Sequence, residues 1–319
     1  MRRAIDVMRD TLVALERDEA QQPPRTMMRL PGGRDAFWVM PSRVNGTLGV
    51  KVLTAFPGNA GTRHDTHQGA VLLFGAQGEL LAMVDATAMT AIRTAAVSGV
   101  ATDALARADA RVLAILGSGA QAIAHVEAVL AVRPIAQVHV WSRSPANAER
   151  LAGDAGARFG VGVSVAGTVA AAVRDADVVC TTTAAHDPIL AGAWLRPGAH
   201  VNAIGSGSAA DREVDGATMH RARIYVDRME SAMREAGDVL LAITEHAITE
   251  ADVIGNLGGV LVGRLPGRRT AEEVTLFKSV GLGAEDVAAA RATYEECLRL
   301  RLGEARPCQR EKPRQPRES

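Results

Sequence analysis

The chain is poor in aromatic residues and has no excess of either charge. Phenylalanine, tryptophan and tyrosine together make up 3% of its 319 residues, which is too few for a surface on which successive bases could stack. Lysine plus arginine and aspartate plus glutamate both number 36, so no global positive field attracts nucleic acid or an anionic membrane. We therefore expect neither nucleic acid nor a membrane surface as a partner.

Cysteine and long apolar runs are also scarce. The three cysteines, Cys180, Cys297 and Cys308, form no CxxC pair, which argues against a disulfide scaffold and for a reducing compartment. Acidic residues interrupt the first 20 residues, so a signal-peptide core is missing, and no apolar run approaches the roughly 20 residues that span a bilayer. These features predict a cytoplasmic protein, and the length allows two domains.

Apolar, strand-like runs occur along most of the chain. An amphipathic helix is predicted at the N-terminus, and four runs separated by turn-forming residues follow it, at 36–41, 48–55, 70–74 and 79–84. Beyond an alanine-rich helical segment from Thr90, apolar runs alternate with helical segments, at 111–116, 137–141, 161–165, 177–182, 199–204 and 222–227. This alternation predicts an α/β fold with a doubly wound parallel sheet after a mixed first domain. A closing helix is predicted at 284–302, and disorder at 304–319.

The stretch "LAILGSGAQAIAH" (113–125) joins a predicted strand to a predicted helix through a glycine-rich turn. Gly117, Gly119 and Ala122 fit the pattern GxGxxA, in which the first glycine allows a tight turn and the second lets the backbone approach a pyrophosphate. The backbone N–H groups of Ala120 and Gln121 open the helix and can bind the anion. The motif predicts a Rossmann dinucleotide site; the alternative is a tight turn with no ligand.

The end of the next strand indicates which dinucleotide is bound. A site for NAD usually has an acidic residue there, which binds the free ribose 2′-hydroxyl. This chain has Ser142, Arg143 and Ser144 instead, and an arginine can pair with a 2′-phosphate. The pattern favours NADP(H), with NAD(H) possible, unless Arg143 is only a solvated surface residue.

Several segments, taken together in their order along the chain, resemble the ornithine cyclodeaminase/mu-crystallin family. They lie within about residues 20–300 and are "VMP" (39–41), "THQGAVLLF" (66–74), "RTAAVSGVAT" (93–102), "ILGSGAQA" (115–122), "PGAHVNAIGS" (197–206), "REVD" (212–215), "YVD" (225–227), "GDVLL" (237–241) and "VTLFKSVGLGAEDVAAA" (274–290). The resemblance implies a discontinuous first domain, at 1–105 and 290–319, that binds substrate and forms a homodimer. It also implies that a Rossmann domain, at 106–289, is inserted into this first domain.

The resemblance further implies a site for the carboxylate of an amino or imino acid. Its three cations fall on Arg25, Lys51 and Arg93. Taken alone, each could be an exposed charge on a turn, a strand or a helix start. Together they would be costly to bury unless an anion completes the site, and a substrate carboxylate would do so.

Further residues are expected near the nicotinamide. Thr182 and Thr183 follow the run at 177–182, at the sheet edge where dinucleotides bind. Gly205 and Ser206 follow the next run, and the segment "KSVG" (278–281) resembles one that returns to the same site in the family. Each of them could also be an ordinary loop residue.

His64 and His67 in "RHDTH" suggest a metal site. Two histidines without a third ligand nearby are weak evidence for a metal site. His67 belongs to the "THQG" segment that resembles the family, so we expect it to pack near the mouth of the site and expect no metal.

Two positions depart from the pattern of ornithine cyclodeaminases. These enzymes carry a catalytic aspartate where this chain has Gly207, and Asp211 lies four residues further on. They also carry an acid two residues before "MP", where this chain has Trp38. The acids expected around the amino groups of ornithine are therefore missing, whereas the carboxylate-binding cations are retained.

These departures favour an NAD(P)H-dependent reductase of a small imino acid. A ketimine or a cyclic imine such as Δ1-pyrroline-2-carboxylate would accept hydride at its α-carbon. Ornithine cyclodeaminase and an amino-acid dehydrogenase, such as alanine dehydrogenase, are the alternative activities. A non-catalytic NADP(H)-dependent ligand-binding protein is the alternative of another class, but it would not need three cations.

Overall fold

The computed structural model describes residues 1–33, 35–59 and 62–302. These residues form a five-stranded antiparallel sheet and an eight-stranded parallel sheet, with helices packed around both. The tail at 304–319, for which disorder is predicted, and Cys308 lie outside the described residues.

The antiparallel sheet has the strand order β1-β2-β3-β4-β5. Its strands are β1 (Thr26–Arg29), β2 (Ala36–Val44), β3 (Thr47–Ala55), β4 (His67–Phe74) and β5 (Leu80–Asp85). Asn45 and Gly46 both have positive φ and form the tight turn between β2 and β3. In the antiparallel pairing of β2 with β3, Met40 lies opposite Lys51. Thr47, Gly49 and Lys51 lie on the buried face of β3.

Three long helices pack together beside this sheet. They are α1 (Arg2–Glu16), α2 (Ala86–Leu105) and α10 (Gly283–Leu300). Asp85 caps α2 by accepting hydrogen bonds from the backbone N–H groups of Thr87 and Ala88. A Cβ at Gly49 would lie 2.8 Å from Cγ2 of Val287, so glycine at this position lets α10 approach β3 closely.

The parallel sheet has the order β12-β11-β13-β10-β9-β6-β7-β8. Its strands are β6 (Val112–Leu116), β7 (Gln137–Trp141), β8 (Gly162–Val165), β9 (Val178–Thr181), β10 (His200–Ala203), β11 (Ala222–Val226), β12 (Val253–Asn256) and β13 (Val274–Lys278). The helices between them are α3 (Ala120–Val132), α4 (Pro145–Phe159), α5 (Val169–Val173), α6 (Gly216–Arg221), α7 (Met229–Glu235), α8 (Gly237–Thr244) and α9 (Leu257–Leu261). The strand order reverses between β6 and β9, and the carboxyl ends of such strands form a ligand-binding crevice.

The predicted fold class is confirmed, and each predicted strand overlaps an observed one. The sequence patterns missed β1, β12 and β13. Strand β13 is buried throughout and lies between β10 and β11, where a short apolar run cannot be told from a buried helical segment by periodicity. The domain limits stay a prediction, and the limit at 290 falls inside α10.

Candidate functional site

A cavity of about 500 Å³ opens between the antiparallel sheet, α2 and the carboxyl edge of the parallel sheet. Most of the residues that the sequence predicts for the site line it: Arg25, Lys51, Arg93, Gly119, Ala120, Gln121, Thr182, Thr183 and Gly205. Segments that are far apart in sequence therefore bring the three cations and the glycine-rich turn into the same cavity.

Five predicted residues do not line this cavity: Gly117, Ser142, Arg143, Ser144 and Ser206. Ser206 is buried beneath it, and its hydroxyl donates to the backbone carbonyl of Asp211. Its interpretation as a direct contact of the nicotinamide has no support in this geometry, because its hydroxyl is already committed to the loop.

The glycine turn has the geometry that the GxGxxA pattern predicts. Gly117 has φ +126°, and a Cβ there would lie 2.7 Å from the carbonyl oxygen of Thr182, so only glycine fits without strain. Gly119 is the N-cap of α3, and a Cβ on it would meet no atom within 4 Å. The N-terminus of a 13-residue helix thus opens into the cavity, where it can bind an anion.

The residues that are expected to contact the 2′-position of the cofactor ribose lie at the end of β7. The hydroxyls of Ser142 and Ser118 are 2.8 Å apart, which ties this strand end to the glycine turn. Ser144 caps α4 by accepting from the backbone N–H of Asn147. Arg143 is exposed and makes no ion pair with any residue in the described part of the chain, so it is available to a phosphate.

Lys51 and Arg93 contact two acidic residues at the start of α10. Oδ1 of Asp286 accepts from Lys51 Nζ at 3.0 Å and from Arg93 Nε at 2.8 Å. Oε2 of Glu285 accepts from Arg93 Nη1 at 3.0 Å. Two carboxyl groups of the chain therefore already contact Lys51 and Arg93, and a role of these cations in binding a substrate carboxylate stays a prediction.

Burial and the neighbouring charges together set the protonation of this cluster. Burial lowers the pKa of Lys51, although Asp286 opposes this shift. Burial also raises the pKa of Glu285 to about 8, in spite of Arg93, so Glu285 is largely protonated at neutral pH. Burial opposes the ionisation of Asp286, but Arg93 and Lys51 outweigh it and lower the pKa of that carboxyl group. While Lys51 and Arg93 are both protonated, the single ionised carboxylate of Asp286 leaves the cluster with a net positive charge, which suits a carboxylate ligand.

Arg25 reaches the cavity from an otherwise exposed segment. Its guanidinium lies 4.3 Å from the centroid of the Trp38 ring. Nη1 donates to the carbonyl of Val280 at 3.1 Å, and Nη2 donates to that of Gly207 at 3.3 Å. Nη2 also forms an ion pair with Glu235. The side chain thus links the N-terminal segment to three parts of the chain that follow the parallel strands.

A buried acid that the sequence patterns missed holds the predicted threonine and glycine loops. Glu213 accepts from Thr181 Oγ1 at 2.6 Å, from Thr183 N and Oγ1 at 2.6 and 2.7 Å, and from Gly205 N at 2.6 Å. Burial raises the pKa of Glu213, and its hydrogen bonds oppose this shift. The segment "REVD" contained this residue, but nothing in its composition indicated that the side chain would turn inward.

A second buried network supports the same loops from below. Lys278 is fully buried, lies 2.8 Å from Oδ2 of Asp238 and donates to the carbonyl of Ser206 at 2.5 Å. Asp238 also accepts from the backbone N–H groups of Glu213 and Val214. These contacts fix the loop after β10 without entering the cavity.

Asp227, at the end of β11, shapes the segment that contains the predicted "KSVG" turn. Its Oδ2 accepts from Ser279 Oγ at 2.9 Å and from the backbone N–H groups of Val280 and Gly281 at 2.8 Å each. Ser279, Val280 and Gly281 all line the cavity. The carboxylate therefore directs this turn toward the site, as the position of "KSVG" suggested.

The residues that depart from the cyclodeaminase pattern lie in the cavity wall. Trp38 and Gly207 both line it, and a Cβ at Gly207 would meet no atom within 4 Å. Asp211 is not in the wall; its Oδ1 lies 2.6 Å from Nδ1 of the exposed His186. The acidic residue that the cavity wall does contain is Asp65, and the Glu235 carboxylate pairs with the same Arg25 nitrogen that donates to the carbonyl of Gly207.

The two histidines of "RHDTH" have different surroundings. His67 lines the cavity, and burial together with the charge of Lys51 lowers its pKa. His64 is exposed and lies 3.2 Å from Arg63 Nε. Within residues 1–33, 35–59 and 62–302, no three His, Cys, Asp or Glu side chains group as metal ligands.

Comparison with known proteins places this geometry in a family. The model of the ornithine cyclodeaminase/mu-crystallin family matches residues 1–300. The chain belongs to this family. It is 40% identical to ketimine reductase mu-crystallin of the mouse, Mus musculus, over 281 residues, which cover 86% of this chain and 84% of the relative.

Two solved structures of this family's fold are closely similar. Δ1-pyrroline-2-carboxylate reductase of Thermococcus litoralis, in complex with NADH and L-proline, superposes with a TM-score of 0.92 at 31% identity and covers 95% of this chain and 94% of its own. An archaeal alanine dehydrogenase dimer with bound NAD gives a TM-score of 0.90 at 31% identity, with 94% and 92% coverage. The described part of this family member includes no helix long and apolar enough to cross a membrane.

Proposed function

We propose that this protein is an NAD(P)H-dependent reductase of a small imino acid, such as a cyclic ketimine. The observation that carries the proposal is the joint placement of Arg25, Lys51 and Arg93 in one cavity with the glycine turn. The relatives named as reductases of ketimines and of Δ1-pyrroline-2-carboxylate support it. Consumption of NADPH with a panel of cyclic imines tests it, and no consumption with any of them would contradict it.

The residues of the chain contribute mainly by positioning. A bound reduced nicotinamide supplies the hydride, and its phosphates would lie at the N-terminus of α3. Lys51 and Arg93 bind the substrate carboxylate and thereby fix the C=N carbon in the cavity. Lys51 Nζ donates to Thr90 Oγ1 at 2.8 Å and to Asp286. The lowered pKa of Lys51 suits it to give a proton to the imine nitrogen.

NADP(H) is the cofactor that we favour over NAD(H). Arg143 is exposed at the ribose-reading end of β7, where no acid stands. We expect NADPH to bind more tightly than NADH, and Arg143→Ala to weaken NADPH by about tenfold, as for a charge-assisted hydrogen bond, while leaving NADH unchanged. Fluorescence titration of both cofactors measures this. Equal affinities in the native protein would overturn the preference.

Ornithine cyclodeaminase is the first alternative activity. We expect the conversion of ornithine to proline and ammonia to be far slower than imine reduction. Gly207 and Trp38 stand where cyclodeaminases carry acids, and Asp211 pairs with His186 outside the cavity wall. Assays of ammonia and proline with NAD and ornithine measure this. Robust production of both would show that another carboxylate has taken the role.

The same assays test two other possible functions. The archaeal neighbour is an alanine dehydrogenase, so a linear 2-oxo acid with ammonia belongs in the substrate panel. A non-catalytic ligand-binding protein would bind cofactor and turn over nothing. The three cations in the wall disfavour that reading, because an apolar ligand needs none of them.

We also propose a homodimer in the cytoplasm. The archaeal neighbour is a dimer, and Ile92 of α2 and Leu300 of α10 expose 49% and 46% of their surface and line one apolar groove, which is typical of a surface that another chain covers. Sedimentation of the purified protein tests the dimer. The absence of CxxC pairs from the three cysteines is the basis for the reducing compartment.

A further inference from the structure

The three cations of the cavity differ in how their counter-ions are held. Asp286 and Glu285, which pair with Lys51 and Arg93, are completely buried. Glu235, which pairs with Arg25, keeps 25% of its side chain exposed, whereas Arg25 keeps 11%. A buried carboxyl group cannot leave its partner without a large cost, but a partly exposed one such as Glu235 can turn into water. Only the partner of Arg25 is therefore exchangeable.

We propose that Glu235 occupies Arg25 while the site is empty and that the substrate carboxylate displaces it on binding. This inference rests on the proposed function, since it concerns the carboxylate of the same substrate. Glu235 then acts as an internal competitor that sets the affinity for anionic ligands. It is a specificity-determining residue and takes no part in the transfer of hydride or proton.

The other contacts of Arg25 suit this exchange. Trp38 covers one face of the guanidinium, and the carbonyls of Val280 and Gly207 accept from its two terminal nitrogens. These contacts hold the guanidinium in the wall when Glu235 turns away. Nη2, which pairs with Glu235, then offers its charge to another carboxylate, without a rearrangement of the backbone.

The geometry also explains why Glu235 can move. It is the last residue of the seven-residue helix α7, and the helix is capped beyond it at Ala236. Its side chain is partly exposed, so another staggered rotamer can carry the carboxylate into water without displacing the packed core. Arg25 is the residue whose position is fixed, and Glu235 is the residue that is free to exchange.

The test compares Glu235→Gln with a matched control on the same helix. Glu230→Gln removes a carboxylate that is 70% exposed and pairs with Arg228. Calorimetry with pyrrole-2-carboxylate, at saturating oxidised cofactor, measures the affinity of an unreactive planar carboxylate. We expect Glu235→Gln to bind it about two- to fivefold more tightly, the range for a partly exposed ion pair. Glu230→Gln should bind as the native protein does.

Two further measurements separate competition from a structural role. Pyrrole-2-carboxamide carries no charge, so Glu235→Gln should not tighten its binding. In turnover assays the KM for the imine should fall by the same factor while kcat does not rise. Unchanged or weaker carboxylate binding in Glu235→Gln would overturn the inference. If the native protein itself bound no carboxylate, the proposed function would fail instead.

Discussion

Lys51→Met is expected to lower the rate of imine reduction by about 10²- to 10³-fold, the cost of removing one donor that stabilises charge in a site. Lys51 is buried in the cavity wall, where its ammonium group faces Thr90 and Asp286. The affinity for NADPH should stay unchanged, because in the described part of the chain Lys51 donates to Thr90 and Asp286 and makes no hydrogen bond to the glycine turn or to α3. Single-turnover rates and cofactor titration of the same preparation measure both quantities. A rate near that of the native protein would show that Lys51 takes no part in imine reduction.

The same variant should be less stable than the native protein. From the sequence alone, relief of repulsion between three cations would preserve or raise the melting temperature of Lys51→Met. The structure reverses this expectation, because Asp286 loses one of its two charged partners and is left with Arg93. Asp286 also pairs with Arg93, so a double-mutant cycle of Lys51→Met, Asp286→Asn and the double variant isolates the Lys51–Asp286 pair, and we expect the double variant to lose less stability than the sum of the two single losses. If the two losses simply add, the pairing of Lys51 with Asp286 contributes nothing to folding.

Glu285→Gln is expected to remove a pH dependence of stability. Burial raises the pKa of Glu285 from 4.5 to about 8 in the folded protein. Between these values the folded chain binds one proton more than the unfolded chain does. The free energy of unfolding therefore falls as pH rises through this window, by at most about 1.4 kcal/mol per pH unit. Below pH 4.5 and above about pH 8 the contribution is constant.

Denaturant unfolding of the native protein and of Glu285→Gln, from pH 5 to pH 9, measures this effect. Glutamine keeps the shape of the side chain and can still accept from Arg93 and from the backbone N–H of Leu282. The difference between the two curves isolates Glu285 from other buried groups such as His125, whose pKa burial lowers to about 4. Parallel curves would show that Glu285 ionises normally in the folded protein.

Local patterns in the sequence determined the parts of this protein that depend on neighbouring residues. The turn from β6 to α3 needs a glycine at Gly117 and a helix start at Gly119, and both follow from steric limits on a few consecutive residues. The alternation of apolar runs with helical segments also indicated the parallel sheet. Family resemblance placed Arg25, Lys51 and Arg93 at one site, although no local pattern distinguished them from surface charges.

Only the tertiary structure decided what those cations are paired with. Asp286 lies 235 residues from Lys51, and Glu235 lies 210 residues from Arg25, so no spacing rule connects them. The close approach of α10 to β3 at Gly49 brings the acids of α10 to Lys51 and Arg93. Charge pairs form wherever packing brings side chains together, and packing depends on the shape of the whole chain. The sequence by itself therefore specified which groups could bind a carboxylate, and the fold decided their charge, their counter-ions and which of those counter-ions can leave.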